Sequence, residues 1–259
     1  MVKYLRAEND KFSKLINNES NQHKLYNEFT RSIESFHKGL ATNNAINQID
    51  NLIKNSTIKR NYITFNYTST LELLLNVYNN YEKNIETQPI HIHGKLDDDI
   101  VLGIDNIEQI QNTTFSLTRK GCRAFIKTFF NEQYDNHRVE TAKRAISESN
   151  IICTYGFSMG ESDQTWNNAL LDWLSKDTNH HLVVYQYDKS RYSLYNRDEI
   201  MDVEDEKKLQ LLQKLHINNE TLLDQIHIPI GSNIFNFTFE HNEQPIRTMG
   251  SMKFNYQNT

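Results

Sequence analysis

Apolar positions recur along this chain in two rhythms. Leu25, Phe29, Ile33, Phe36 and Leu40 return at intervals of three or four, and Ile46, Ile49 and Ile53 continue a similar pattern. That spacing gathers them on one helical face, so residues 1–55 are expected to be helical, with Asn and Lys on the solvated side. At Tyr62 the rhythm changes. Tyr62-Ile63-Thr64-Phe65 is β-branched and aromatic and predicts a strand; residues 90–93, after Pro89, predict a second, and residues 100–104 a third. Between the first two, Leu71, Leu74, Leu75 and Tyr78 form the buried stripe of a helix opened by Ser69, with Glu72 at capping-box spacing.

Residues 115–148 read as helical again, with Phe125 and Phe129 on one face and Val139, Ala142 and Ile146 on another. Ile151-Ile152-Cys153-Thr154-Tyr155 and Leu182-Val183-Val184-Tyr185 are nearly continuous apolar runs, as expected of strands covered on both faces. Between them a helix starts near Ser162, carrying Trp166, Leu170, Trp173 and Leu174 as its stripe. Residues 186–205 are polar and predict a surface excursion; a helix over 204–216 and late strands at 226–230 and 234–239 follow. The alternation predicts an α/β fold, a mainly parallel sheet flanked by helices. The expected division is a helical region, 1–57, packing on an α/β domain, 58–240, with a C-terminal tail at 241–259.

Composition narrows the classes. A chain of 259 residues buries one sizeable core or divides in two, and 13 Phe with 13 Tyr supply anchors for it. A net charge of -5 leaves no electrostatic footprint for nucleic acid. Two cysteines, no basic-then-apolar leader and no apolar run of membrane-spanning length make the cytoplasm the expected compartment.

Three segments sit where apolar runs stop: Phe65-Asn66-Tyr67-Thr68, His91-Ile92-His93-Gly94 and Tyr155-Gly156-Phe157-Ser158-Met159-Gly160-Glu161-Ser162-Asp163. The edge beyond strand C-termini is where open α/β sheets bind ligands. The Asn66 carboxamide suits a ribose hydroxyl or a water, although strand-end Asn also bonds nearby backbone. His93 before Gly94 suits a general base, because imidazole titrates near neutrality; a satisfied structural histidine is the competing account. His91 is expected to be packed, and no cysteine or carboxylate cluster completes a metal shell around the pair. Gly94 and Gly156 allow close backbone approach to a ligand. Ser158 and Asp163 lie on the loop entering a helix N-terminus, a natural anion site, though Asp163 also favours the helix dipole on its own account. Asp105 follows the third predicted strand and can reach the same edge, whereas Asp97-Asp98-Asp99 reads as a solvated turn.

In this order the segments resemble the bacterial abortive-infection AbiH family, a branch of the sirtuin-like α/β proteins. The matching stretches are Ile63-Thr64-Phe65-Asn66-Tyr67-Thr68-Ser69-Thr70-Leu71-Glu72, His91-Ile92-His93-Gly94-Lys95-Leu96-Asp97, Val101-Leu102-Gly103-Ile104-Asp105 and Tyr155 through Trp166. The resemblance implies anti-phage defence, a Rossmann-like sirtuin-type sheet, and NAD as a substrate hydrolysed at the nicotinamide–ribose bond. It assigns catalysis to Asn66 and His93, and ligand binding to Gly94, Asp105, Gly156, Ser158 and Asp163. A non-catalytic module sensing a nucleotide or phage component is the alternative. Expected partners are a nucleotide and either a second copy of the chain or another defence-system protein; nucleic acid, membrane and metal are not expected. Family members open with a strand and a Gly-Asn-Gly-Phe-Asp type loop. No such pattern precedes Phe65, so the first strand and glycine-rich loop are expected to be missing, through a fragmentary chain or a rebuilt sheet.

Overall fold

The computed structural model of the protein describes residues 1–55, 57–82, 86–96, 100–101, 103, 126–127, 137–186, 196–217 and 219–239. Asp97, Asp98, Asp99, Asp105, Phe125 and Phe129, the stretch 187–195 and the tail from 240 lie outside these residues.

The N-terminal stripe divides into three helices: α1 (Val2–Ile16), α2 (Glu19–Glu34) and α3 (Asn43–Lys54). The side chain of Asn18 caps α2 by accepting from the Ser20 N–H, and Thr42 caps α3 by accepting from the Ala45 N–H. Leu25 and Phe29 pack with Phe12 and Ile16 of α1 and with Leu74, Leu75, Val77 and Tyr78 of α4 (Thr70–Tyr81). The periodicity through Leu40 does not belong to one helix. α2 stops at Glu34, and the connection to α3 is tied by His37 Nε2 to Asp50 at 2.7 Å and by the Tyr185 hydroxyl donating to the Phe36 carbonyl at 2.5 Å. Leu40 therefore joins Ala45, Ile49, Val183, Tyr185 and Ile234 in a separate cluster.

Among the described residues the strands are parallel, as expected, and form two short sheets. β1 (Ile63–Thr64) pairs with β2 (Ile90–His91) in the register Ile63 to Ile90 and Thr64 to His91. β3 (Ile151–Tyr155), β4 (His181–Tyr185) and β5 (Ile226–His227) form the other, with β4 central and all five of its residues buried. Among the described residues β3 lies at the edge of its sheet, and Cys153 and Tyr155 are exposed rather than covered on both faces. α5 (His137–Ser147) and α6 (Gln164–Leu174) contribute Ala142, Ile146, Trp166, Leu170, Trp173 and Leu174 to the core around β4, the stripes that their spacing predicts. This mixed α/β arrangement carries parallel strands and abundant helix.

Three predicted elements differ, each for a visible reason. Ile100 and Val101 form no strand; the Val101 N–H donates instead to the His93 carbonyl at 2.9 Å. Helix α7 (Arg197–Lys214) starts well inside the predicted excursion, because Asn196 caps it and Ile200 and Glu204 are buried. Residues 234–239 form no strand either. The Phe235 N–H donates to Ser32 Oγ at 2.7 Å and the Asn236 N–H to Glu28 Oε1 at 2.9 Å, so α2 side chains satisfy donors that a ladder would otherwise take.

Glu204 does the same at the end of β5. It is 4% exposed, accepts from the Ile228 N–H at 3.0 Å and pairs with Lys208 at 3.2 Å. Glu204→Gln is expected to lower the free energy of unfolding by about 1–2 kcal/mol, read from urea melts, since a neutral acceptor replaces a charged one at a buried donor. Among the described residues no helix is long and apolar enough to cross a membrane.

Candidate functional site

The β1–β2 ladder ends where side chains take over its hydrogen bonds. After Thr64, the Asn66 N–H donates to Thr64 Oγ1 at 3.1 Å, and the Asn66 carbonyl accepts from His91 Nδ1 at 3.0 Å. Both main-chain groups of Asn66 are thus satisfied locally, and the residue itself is exposed. The following turn is held by the Leu96 N–H donating to the Tyr67 carbonyl at 2.9 Å and by the Ser69 N–H donating to Asn9 Oδ1 at 3.0 Å. Since Thr64 pairs with His91, Asn66 and His93 each lie two residues past the last paired position of adjacent parallel strands. The ladder brings these two residues to one edge.

His93 is 7% exposed and its Nδ1 has no hydrogen-bond partner among the described residues. Its ring packs edge-on to Phe65 at 5.4 Å and lies 6.1 Å from the Tyr67 ring. Burial, helped by the charge of Lys127, holds its pKa down to about 4 against the opposing pull of Asp163. The imidazole is therefore neutral at pH 7. Gly94 follows with φ +79°, a left-handed conformation that lets the chain turn back towards Lys95 without a Cβ clash.

The third segment reaches this edge through aromatic contact. Phe157 stacks on Phe65 at 4.9 Å, and Trp166 of α6 meets Phe65 edge-on at 5.6 Å, so one phenyl ring links the two sheets. Gly156 takes φ +67° and the buried Met159 φ +50°, which fold the loop back onto the start of α6. Asp163 is the N-cap residue of α6, and Lys127 reaches both its carboxylate and the Ser162 carbonyl at 3.4 Å. Ser158 follows Phe157 on this loop. It is exposed, and its carbonyl accepts from Lys214 at 2.5 Å. Of the residues singled out in the sequence, Asn66, His93, Gly94 and Asp163 share one neighbourhood, with Gly156 on the adjoining loop.

The sequence reading missed three contributors. Lys127 lies between Phe125 and Phe129, in a run read only for its apolar faces. Tyr67 adds a hydroxyl, donated to the Val101 carbonyl at 3.3 Å, whose pKa is raised by burial and by Asp163. Glu72, expected to cap α4, is buried and instead accepts from His91 Nε2 at 2.7 Å and from Lys95 at 2.8 Å, while Ser69 makes no side-chain cap. Burial opposes its ionisation, yet these two hydrogen bonds hold its pKa down to about 2. Among the described residues no group of three or more His, Cys, Asp or Glu is arranged to hold a metal ion.

The sequence matches the family described as bacteriophage abortive infection AbiH over residues 3–185, a stretch running from α1 to the end of β4 that contains all three segments. The chain belongs to the AbiH family. No curated protein and no solved structure matches it significantly.

Proposed function

We propose that this AbiH-family protein, whose family supports a role in anti-phage abortive infection, acts by hydrolysing NAD at the nicotinamide–ribose bond. The observation carrying this reading is the pairing of Asn66 with a buried, neutral His93 at the C-terminal ends of adjacent parallel strands. In the proposed reaction a water oxygen attacks the ribose C1′. The bond from C1′ to nicotinamide breaks, its electron pair returns to the ring nitrogen, and the water proton passes to His93. Asn66 orients the water and the ribose through its carboxamide. Gly94 and Gly156 allow close backbone approach, and Asp163 accepts from ribose hydroxyls, with Ser158 further along the same loop. A carboxylate already at the α6 N-terminus, countered by Lys127, suits a hydroxyl donor better than a phosphate.

Nicotinamide release by the purified chain tests this directly. The native protein is expected to release it, and His93→Ala to do so at least about 100-fold more slowly, within the usual range for removing a general base. No release by the native chain, or equal release by His93→Ala, rejects hydrolysis. One observation favours a second reading, a nucleotide-sensing module without turnover: the packing of Phe65 and Tyr67 leaves little of His93 accessible. Calorimetry with NAD and ADP-ribose beside the release assay separates the two, because binding without release identifies a sensor.

A further inference from the structure

Glu72 stands at the centre of an array that bonds to the Asn66 carbonyl and flanks His93 in sequence. One carboxylate oxygen, Oε1, accepts from His91 Nε2 at 2.7 Å and from Lys95 Nζ at 2.8 Å. These donors stand two residues before and two residues after His93, so a side chain of α4 brackets the turn that carries it. The other nitrogen of the His91 ring, Nδ1, faces the Asn66 carbonyl at 3.0 Å. Both ring nitrogens therefore meet oxygen atoms of neighbouring groups. His91 is 3% exposed and Glu72 7% exposed, so solvent offers little competition for the bond between them, whereas the Lys95 side chain reaches in from a position 42% exposed.

We infer that Glu72 and His91 are positioning residues: Glu72 orients the His91 ring, the ring fixes the main chain at Asn66, and the same carboxylate, through Lys95, fixes the turn bearing His93. Past the Thr64–His91 pair the Ile92 N–H donates to the Thr64 carbonyl at 3.0 Å and the Leu96 N–H to the Tyr67 carbonyl at 2.9 Å, while the Asn66 carbonyl between them is met by the His91 side chain. The array adds to these main-chain bonds where the strands hand over to the site. Without it the Asn66 carbonyl loses the His91 side-chain donor, and the relative placement of Asn66 and His93 loosens. The catalytic consequence rests on the NAD-hydrolysis reading; the positional one does not.

Hydrogen exchange followed by mass spectrometry, run on the full chain beside nicotinamide-release kinetics, tests both levels. In His91→Phe, amides 66–69 are expected to exchange about 10-fold faster while those of β4 keep their protection, which marks local loosening. kcat is expected to fall about 10–100-fold with the KM for NAD nearly unchanged, as for misplaced rather than missing groups. His91→Gln, which restores an N–H donor towards Asn66, is expected to regain part of both. If His91→Phe does not fold, Glu72→Gln, which keeps the side-chain size and removes the charge, carries the same comparison. Unchanged exchange at 66–69, or an equal rise there and in β4, overturns the inference. If the native chain releases no nicotinamide, the hydrolysis reading falls alone and the exchange data still decide the positioning role.

Discussion

Trp173→Ala is expected to destabilise the protein by about 3–5 kcal/mol, the range for deleting a large aromatic side chain from a close-packed core. Trp173 is 1% exposed, stacks on His180 at 4.6 Å and donates its indole N–H to the Ser149 carbonyl at 2.7 Å. It shares a cluster with Ala142 and Ile146 of α5, Leu182 and Val184 of β4, and Leu212 of α7, so the cavity would open at a junction of several elements. Backbone elements are less able than a single side chain to relax into such a gap, which places the effect towards the upper end. Trp173→Phe separates the contributions. It fills most of the volume and strands the Ser149 carbonyl, and about 1–2 kcal/mol is expected from that alone. Urea denaturation measures both. A loss below about 1 kcal/mol for Trp173→Ala would mean that this junction is not the principal core.

The second large effect is a loss of stability in mild acid. His181 Nδ1 and His227 Nε2 lie 3.0 Å apart across β4 and β5, with the rings stacked and both side chains buried. Such a bond needs one N–H and one lone pair, so the two rings cannot both be charged, and burial favours the neutral form of each. Burial lowers both pKa values from 6.5, that of His227 to about 3, and the charges of His180 and Lys208 act in the same direction. Because the unfolded chain binds protons that the folded chain refuses, stability is full above about pH 6.5 and falls as the pH drops towards 3. Each refused proton costs up to about 1.4 kcal/mol per pH unit. His37 and His93 are also lowered by burial and add to the slope. The contribution of the pair is isolated by comparing native protein with His227→Gln in denaturant melts at pH 7, 6 and 5, where a shallower slope is expected for the variant. Glu72 belongs to a different window: its lowered pKa supplies stability above about pH 4.5 that is lost as the pH falls through about 2. Identical slopes between pH 7 and 5 would show that the His181–His227 pair is not held neutral.

These two clusters show where sequence reading succeeds. The stripe Trp166, Leu170, Trp173, Leu174 and the run at β4 follow rhythms that burial imposes on a single element, so they can be read from that element alone. Residues 197–205 defeated the same reading. Buried Glu204 earns its place through Lys208 and the Ile228 N–H, and a carboxylate in an amphipathic pattern ordinarily marks a solvent face. Residues 234–239 look like a strand because Ile234, Phe237 and Phe239 are buried, yet hydrogen-bond partners for their backbone come from α2 and cannot be foreseen locally. In the candidate site, Asn66 and His93 were visible as strand-end polar residues. Lys127 and Glu72 were not, because their meaning comes from partners 36 and 19 residues away.

The dependence of residues 234–239 on α2 bears on how the chain is made. Glu28 and Asn236 are 208 residues apart, and the bond between them closes a long stretch of chain. While the ribosome is still translating, α1, α2 and α4 can associate as soon as they emerge, because their contacts are comparatively local. The part of that helical cluster covered by Phe237 and Phe239 stays open to the cell until those residues leave the exit tunnel. Nascent chains thus pass through a stage in which this apolar face is unprotected, and its closure waits for Phe237 and Phe239.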